Sequence, residues 1–218
     1  MKTALILGAT GQVGQELLQL ALRHPEISRV VAPTRRPLPP HAKLENPLVD
    51  FEVLPEGAPW WKADLALSAL GTTLRQTKSR EGFYHVDHDY NLAAAELARR
   101  SGTPVFGLVS SLGANASSCL FYLRVKGETE RDLSALGFDS LTLVRPSLLI
   151  GGPRSSARRM EAFGLFLGKH LASILPRRYR AVTTFQVAHA LLENTLRAPL
   201  GINVIESEQL HEIIASSQ

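Results

Sequence analysis

The chain has 218 residues, 44% of them hydrophobic, enough for one domain with a sizeable core and too few to require two. Its single cysteine, Cys119, excludes an internal disulfide and a thiolate metal cluster, which fits a reducing cytoplasm; the thiol itself is expected to be a buried small apolar group. A net charge of +4 and a pI near 9.5 favour anionic partners without choosing among them, and no apolar run approaches the roughly 20 residues that span a bilayer.

In chain order, "TALILG" (3–8) is a short apolar run bounded by glycine and is read as a strand, not a signal peptide. "QVGQELLQLALRH" follows with helical spacing. "SRVVAPTRR" is a β-branched strand. "KLENPLVDF" is a weaker one, and Pro47, which cannot donate to a ladder, puts it at a sheet edge. "DLALSALG" (64–71) is the fourth strand, and a helix of strong propensity runs from about Ser79 to Ser101. "TPVFGLVSS" is the fifth strand. "SSCLFYLRVKGETERDLSALG" is a helix expected to be capped by serine at its start and closed by Gly137. "SLTLVRP" is the sixth strand and "GINVIES" a late seventh.

Strands alternating with helices, several apolar throughout, predict an α/β fold: a doubly wound, Rossmann-like parallel sheet of about seven strands with helices on both faces. The expected organisation is one domain over 1–218, with residues 147–185 forming most of a small C-terminal substrate lobe.

"GATGQVG" places Gly8, Gly11 and Gly14 between the first strand and the first helix. Glycine permits the tight turn and close backbone approach, and the helix N-terminus offers free N–H donors to a pyrophosphate. The spacing is G-x-x-G-x-x-G, one residue longer than the G-x-G-x-x-G fingerprint. At the end of the second strand, where an NAD site carries an acid for the ribose hydroxyls, the chain reads "PTRRP". Arg35 and Arg36 there suit the 2′-phosphate of NADP.

Tyr122 and Lys126 stand four residues apart on one helical face, a common surface spacing that carries little by itself. Beside a dinucleotide site it gains a chemical reason. A free tyrosine has a pKa near 10, and a positive charge within about 4 to 6 Å typically lowers an acid's pKa by about 1 to 3 units. The same ammonium can hydrogen-bond a nicotinamide ribose.

The chain resembles the short-chain dehydrogenase/reductase superfamily in its atypical branch, and more narrowly the small Tat-interacting-protein-like oxidoreductases. The resemblance covers nearly all of the chain and rests on "GATGQVG", "VDFEVL", "SALGTTLRQTKSREGFYHVDHDYNLAAAELA", "LVSSLGANASSCLFYLRVKGE" and "LVRPSLLIG". It implies that Gly8, Thr10, Gly11, Gln12, Val13 and Gly14 line the pyrophosphate of NADP(H), with Arg35 and Arg36 on the 2′-phosphate. It places Asp50 against the adenine, Leu70, Gly71 and Thr72 under the cofactor, and Pro146 beside the nicotinamide amide. Tyr122 and Lys126 match the Tyr-x-x-x-Lys pair, and the catalytic serine falls at Ser110 or Ser111, of which the second is taken. Asp87 stands where many relatives carry asparagine.

The expected activity is NADP(H)-dependent reduction of a carbonyl or oxidation of an alcohol; the rivals are a dinucleotide-sensing regulatory protein and a nucleotide-sugar epimerase, the latter disfavoured by a short substrate lobe. His85, His88 and Asp89 lack a further ligand set for a metal, so none is expected. Basic clusters at Arg154, Arg158 and Arg159 and at Arg177, Arg178 and Arg180 lack aromatic interleaving apart from Tyr179, so a small, anionic substrate is expected and a nucleic acid is not. Oligomeric state is left open.

Overall fold

The period-2 alternation of the first strand sets the layering. In the computed structural model, which describes residues 1–150 and 176–212, β1 (Lys2–Leu7) turns Ala4 and Ile6 into one apolar cluster and Leu5 and Leu7 into another on the opposite face. The first cluster takes Leu17, Leu18, Ala21 and Leu22 from α1 (Gln12–Arg23). The second takes Trp60, Trp61, Phe106 and Leu133. Each large side chain buried this way contributes about 1.5 to 3 kcal/mol, so both faces need helices over them.

The remaining strands are β2 (Ile27–Val31), β3 (Leu44–Glu45), β4 (Leu65–Ser68), β5 (Val105–Val109), β6 (Ser140–Arg145), a short pair β7 (Leu149–Ile150) and β8 (Val182–Thr183), and β9 (Gly201–Glu206). Six of them join β1 in one seven-stranded sheet in the order β3-β2-β1-β4-β5-β6-β9, every pair parallel. This is the expected doubly wound Rossmann-like architecture. Chain order reverses between β1 and β4, and ligands of such sheets bind outside the strands' carboxyl ends at that point. The weak third strand lies at the edge, as Pro47 predicts, but pairs over two residues only.

The helix expected over 79–101 is three pieces. After a short α2 (Leu74–Thr77), Ser79 caps α3 (Arg80–Tyr84) by accepting the Gly82 N–H, a π-helical turn occupies His85–Asp89, and α4 (Tyr90–Arg100) completes the run. The Tyr90 N–H donates to the His85 carbonyl, five residues back.

α5 (Phe121–Ala135) starts later than expected and without a serine cap: Leu120 holds the N-cap position with no side-chain bond. Ser117 and Ser118 are used in a preceding turn, where the Ser117 N–H donates to Asn115 Oδ1 (2.8 Å) and the Ser118 N–H to the Asn115 carbonyl (2.9 Å). Gly137, at φ +70°, follows the helix as expected. α6 (Thr184–Arg197) was not expected, although Thr183 and Gln186 form a capping box at its start. It packs beside α1, and a short α7 (Ser207–Leu210) follows β9. Cys119 is exposed, not buried, because it lies in the loop before α5. Most of the expected lobe over 147–185, with Arg154, Arg158 and Arg159, lies outside the described residues.

Candidate cofactor and catalytic site

The β1–α1 turn is built by close contact. Gly8 has φ +79°, and a Cβ on it would stand 2.6 Å from the Ala69 carbonyl carbon; a Cβ on Gly14 would stand 1.9 Å from the Gly8 oxygen. These two glycines let β1, β4 and α1 meet and do not line the adjoining cleft. Thr10, Gly11, Gln12 and Val13 do. The Gly11 N–H is taken by the Gly8 carbonyl at 2.9 Å, but α1 has no side-chain N-cap and no acid in its first turn, so the turn is open to an anion.

The cleft beside that turn has a volume of about 630 Å³. Its floor is Ala69, Leu70, Gly71 and Thr72 at the end of β4, and its far wall carries Asp87, Val109, Ser110, Tyr122 and Lys126. Thr73, Arg75, Gln76 and Leu149 complete it. The expected Thr10–Val13, Leu70–Thr72, Tyr122 and Lys126 are therefore brought together, whereas Gly8, Gly14, Arg35, Arg36, Asp50, Ser111 and Pro146 are not among the lining residues.

Tyr122 is 39% exposed, with its ring centroid 5.6 Å from that of the buried Phe83. One turn further along α5, Lys126 is only 6% exposed. Its Nζ lies 2.7 Å from Oδ1 of Asp87, itself 1% exposed, and the other Asp87 oxygen accepts the Thr72 N–H at 2.8 Å. Oδ1 has no aligned hydrogen bond, so the contact with the lysine is one of charge. Burial is the largest single influence on Lys126 and opposes its charge. Asp87, then Tyr122 and Glu130, together outweigh it, so the lysine pKa is held above its ordinary value and the side chain is an ammonium.

The π turn puts Asp87 there. The Asp87 carbonyl accepts from Asn91 Nδ2 (2.9 Å) and Thr129 Oγ1 (3.3 Å), while Ser68 Oγ at the end of β4 bonds the Asn91 side-chain oxygen. Asn91, Thr129 and Ser68 were missed in the sequence; the signal is polar residues on faces otherwise apolar, such as Asn91 in "YNLAAAELA". The base of α5 is fixed by Glu130, which receives Arg145 Nε at 3.0 Å and its terminal nitrogen at 2.6 Å, and Arg145 reaches Glu206 at 3.0 Å.

Of the two serines, the one chosen from the resemblance does not face the cleft. Ser110, the first residue after β5, lines the cleft beside Val109, 4% exposed with its hydroxyl unpartnered, while Ser111 donates at 3.4 Å to the Leu112 carbonyl. Pro146 is buried, and its carbonyl accepts the Leu112 N–H at 2.8 Å. Asp50 uses one carboxylate oxygen to accept the Glu52 N–H at 3.0 Å within its own turn.

Arg35 and Arg36 are exposed after β2, on a loop fixed by Thr34 Oγ1 donating to the Arg36 carbonyl at 2.6 Å. Burial first, then the hydrogen bond to Glu52, pushes the Tyr90 phenol up to about 12, against which the Arg35 charge acts.

His85 and His88 are engaged with carboxylates. His85 reaches Asp89 (3.0 Å) and Glu52 (2.8 Å), and His88 reaches Asp89 (2.8 Å) and Asp132 (2.9 Å). Among the described residues no group of three or more such side chains is arranged to hold a metal, and no helix is long and apolar enough to cross a membrane. Arg177 and Arg178 lie in an exposed 3-10 turn (Arg177–Tyr179), the Arg178 guanidinium 5.0 Å from the Tyr179 ring centroid.

No protein-family model matches the chain. Among curated proteins, "Protein FMP52, mitochondrial" of Kluyveromyces lactis is 39% identical over 183 residues, covering 82% of this chain and 78% of that protein. "Protein HTATIP2" of Rattus norvegicus is 37% identical over 208 residues, covering 92% of this chain and 84% of that protein. Among solved structures, "MoeE5 in complex with UDP-glucose and NAD" has a TM-score of 0.69 at 17% identity, covering 98% of this chain and 81% of that one, which shows the shared fold. The cytoplasmic location expected above is overturned by the fungal relatives, whose names are mitochondrial. A lone cysteine is compatible with any compartment that leaves it unpaired, so it had no power to choose.

Proposed function

This chain belongs to the atypical branch of the short-chain dehydrogenase/reductase superfamily, with HTATIP2 and FMP52 as relatives, and on that premise we propose that it is an NADP(H)-dependent oxidoreductase that reduces a carbonyl or oxidises an alcohol. The observation that carries this reading is the convergence of Tyr122 and a charged, buried Lys126 on the cleft that opens from the α1 N-terminus. The residues fit a nicotinamide dinucleotide. The first turn of α1 offers N–H donors to the pyrophosphate, and Leu70, Gly71 and Thr72 form a floor of largely small side chains. MoeE5 holds NAD on the same fold. The bound nicotinamide would supply or accept the hydride.

In this reading Tyr122 gives a proton to the carbonyl oxygen on reduction and takes one from the alcohol on oxidation. Lys126 keeps a positive charge beside the phenol oxygen and offers N–H donors to the cofactor ribose. Ser110, with a free buried hydroxyl in the cleft, donates a hydrogen bond to the same carbonyl oxygen. Ser110→Ala is expected to lower kcat by about 10² to 10³, the cost of a lost transition-state donor, and Ser111→Ala by less than about threefold. Steady-state kinetics on both variants decides, and the reverse order assigns the donor to Ser111.

Arg35 and Arg36 would clamp the 2′-phosphate. Calorimetric titration is expected to favour NADPH over NADH, and the Arg35→Ala, Arg36→Ala double variant is expected to lose about tenfold or more in NADPH affinity with little change for NADH, since a charge-assisted hydrogen bond contributes about 1.5 to 3 kcal/mol. Equal affinities in the parent protein would remove the NADP assignment. The location proposed is that of the fungal relatives, the mitochondrion.

A further inference from the structure

We propose that Asp87 is a positioning residue whose two carboxylate oxygens tie the Lys126 side chain to the backbone of the loop at Thr72, fixing where the cleft's cation stands. The inference rests on the reading that the cleft of Tyr122 and Lys126 is the working site. Oδ1 meets the lysine nitrogen at 2.7 Å and Oδ2 accepts the Thr72 N–H at 2.8 Å. The loop itself closes over this pair: a Cβ on Gly71 would lie 3.4 Å from Asp87 Oδ1 and 3.8 Å from Lys126 Nζ.

Only a carboxylate can do both. An asparagine has one side-chain acceptor and would turn its NH₂ toward either the ammonium or the Thr72 N–H, donor against donor. Nor can another acid take over. The charged or titratable groups facing Lys126 are Asp87 from the π turn, and Tyr122 and Glu130 from its own helix; Glu130 is already bound in a fork by Arg145 of β6. Because the contact with Asp87 is one of charge, the N–H bonds of the ammonium remain for the cofactor and the phenol oxygen. The carboxylate thus does at once what separate groups would otherwise have to do: it neutralises the lysine and anchors the floor beneath the cofactor.

The test reads Lys126 directly, in the protein without cofactor. Acetylation by acetic anhydride, followed by peptide mass spectrometry across a pH series, reports the free-amine fraction of each lysine, with the exposed Lys62 and Lys78 as internal standards. In the parent protein the Lys126 midpoint is expected above those of Lys62 and Lys78. In Asp87→Asn it is expected below them, because burial then acts with its main opponent removed, and the pH-corrected reactivity near neutrality rises by about tenfold or more. NADPH affinity should also weaken by about tenfold as the Thr72 loop is released, and the loss of kcat relative to parent should narrow as the pH is lowered and Lys126 recovers its proton.

A parent midpoint at or below the standards overturns the proposal. So does an Asp87→Asn midpoint equal to the standards, which signals local opening, or one unchanged from parent. If Asp87→Asn does not fold, the parent midpoint alone decides. A parent protein that turns over no substrate leaves the labelling result standing, so failure of the oxidoreductase reading and failure of this one are told apart.

Discussion

Replacing Tyr122 by phenylalanine is expected to lower turnover by about 10² to 10⁴, the range that loss of a general acid typically costs, while NADPH affinity stays within about threefold of the parent. The asymmetry follows from the surroundings. The ring packs against Phe83 with centroids 5.6 Å apart, a contact that phenylalanine keeps, and Lys126 stays paired with Asp87 whether or not the phenol is present. The variant therefore removes a proton donor and little else. NADPH oxidation over a panel of aldehydes, ketones and quinones gives the rate, and calorimetry gives the affinity. Unchanged turnover in Tyr122→Phe would take the proton transfer away from this residue. A parent protein that binds NADPH tightly yet oxidises it with no member of the panel would favour a dinucleotide sensor.

Gly127→Ala is expected to cost about 3 kcal/mol or more, lowering Tm by roughly 6 to 12 °C for a chain of this size, or to prevent folding. Helix propensity alone predicts the opposite sign, since alanine is better than glycine by about 1 kcal/mol in a helix interior. Here the added methyl would sit 2.1 Å from both the Ala116 nitrogen and the Asn115 carbonyl carbon. Those are backbone atoms of a turn already tied to α5 by the Asn115 N–H donating to the Leu123 carbonyl at 3.1 Å, so they have little room to move. Thermal unfolding followed by circular dichroism decides it. A raised Tm would mean that the turn yields easily. Because Gly127 follows Lys126 directly, any variant that does fold should also bind cofactor more weakly.

The parts of the fold that were legible in the sequence are those governed by local rules. β1, α1 and the glycine turn between them announce themselves by a change of period at "GATGQVG", and the apolar strands give the parallel sheet. Tyr122 and Lys126 were legible because helical spacing and a family pattern agree. The rest was set by tertiary contact. Nothing local tells Ser110 from Ser111, because the choice depends on how the chain turns after β5 ends at Val109. Gly8 and Gly14 were expected beside the ligand and instead serve the contact between elements, a distinction visible only when β4 is laid next to α1. Asp87 is marked in the sequence only as standing where many relatives carry asparagine, and its burial goes with a π turn that no period reveals.

That turn divides one apparent helix into two wheels. With 3.6 residues per turn, one extra residue in the ring rotates everything before it by about 100° relative to everything after it. Phe83 therefore faces Tyr122 and the inner wall under one phase, while Ala94, Ala95 and Ala98 meet the sheet under another. The same 21 residues, 80–100, can pack on α5 at one end and cover a core at the other without a proline. A substitution cannot convert one arrangement into the other, because the offset belongs to the number of residues and not to their kinds. Loss of a single residue between 85 and 89 would bring the two wheels into register and carry the carboxylate at 87 away from the lysine it neutralises.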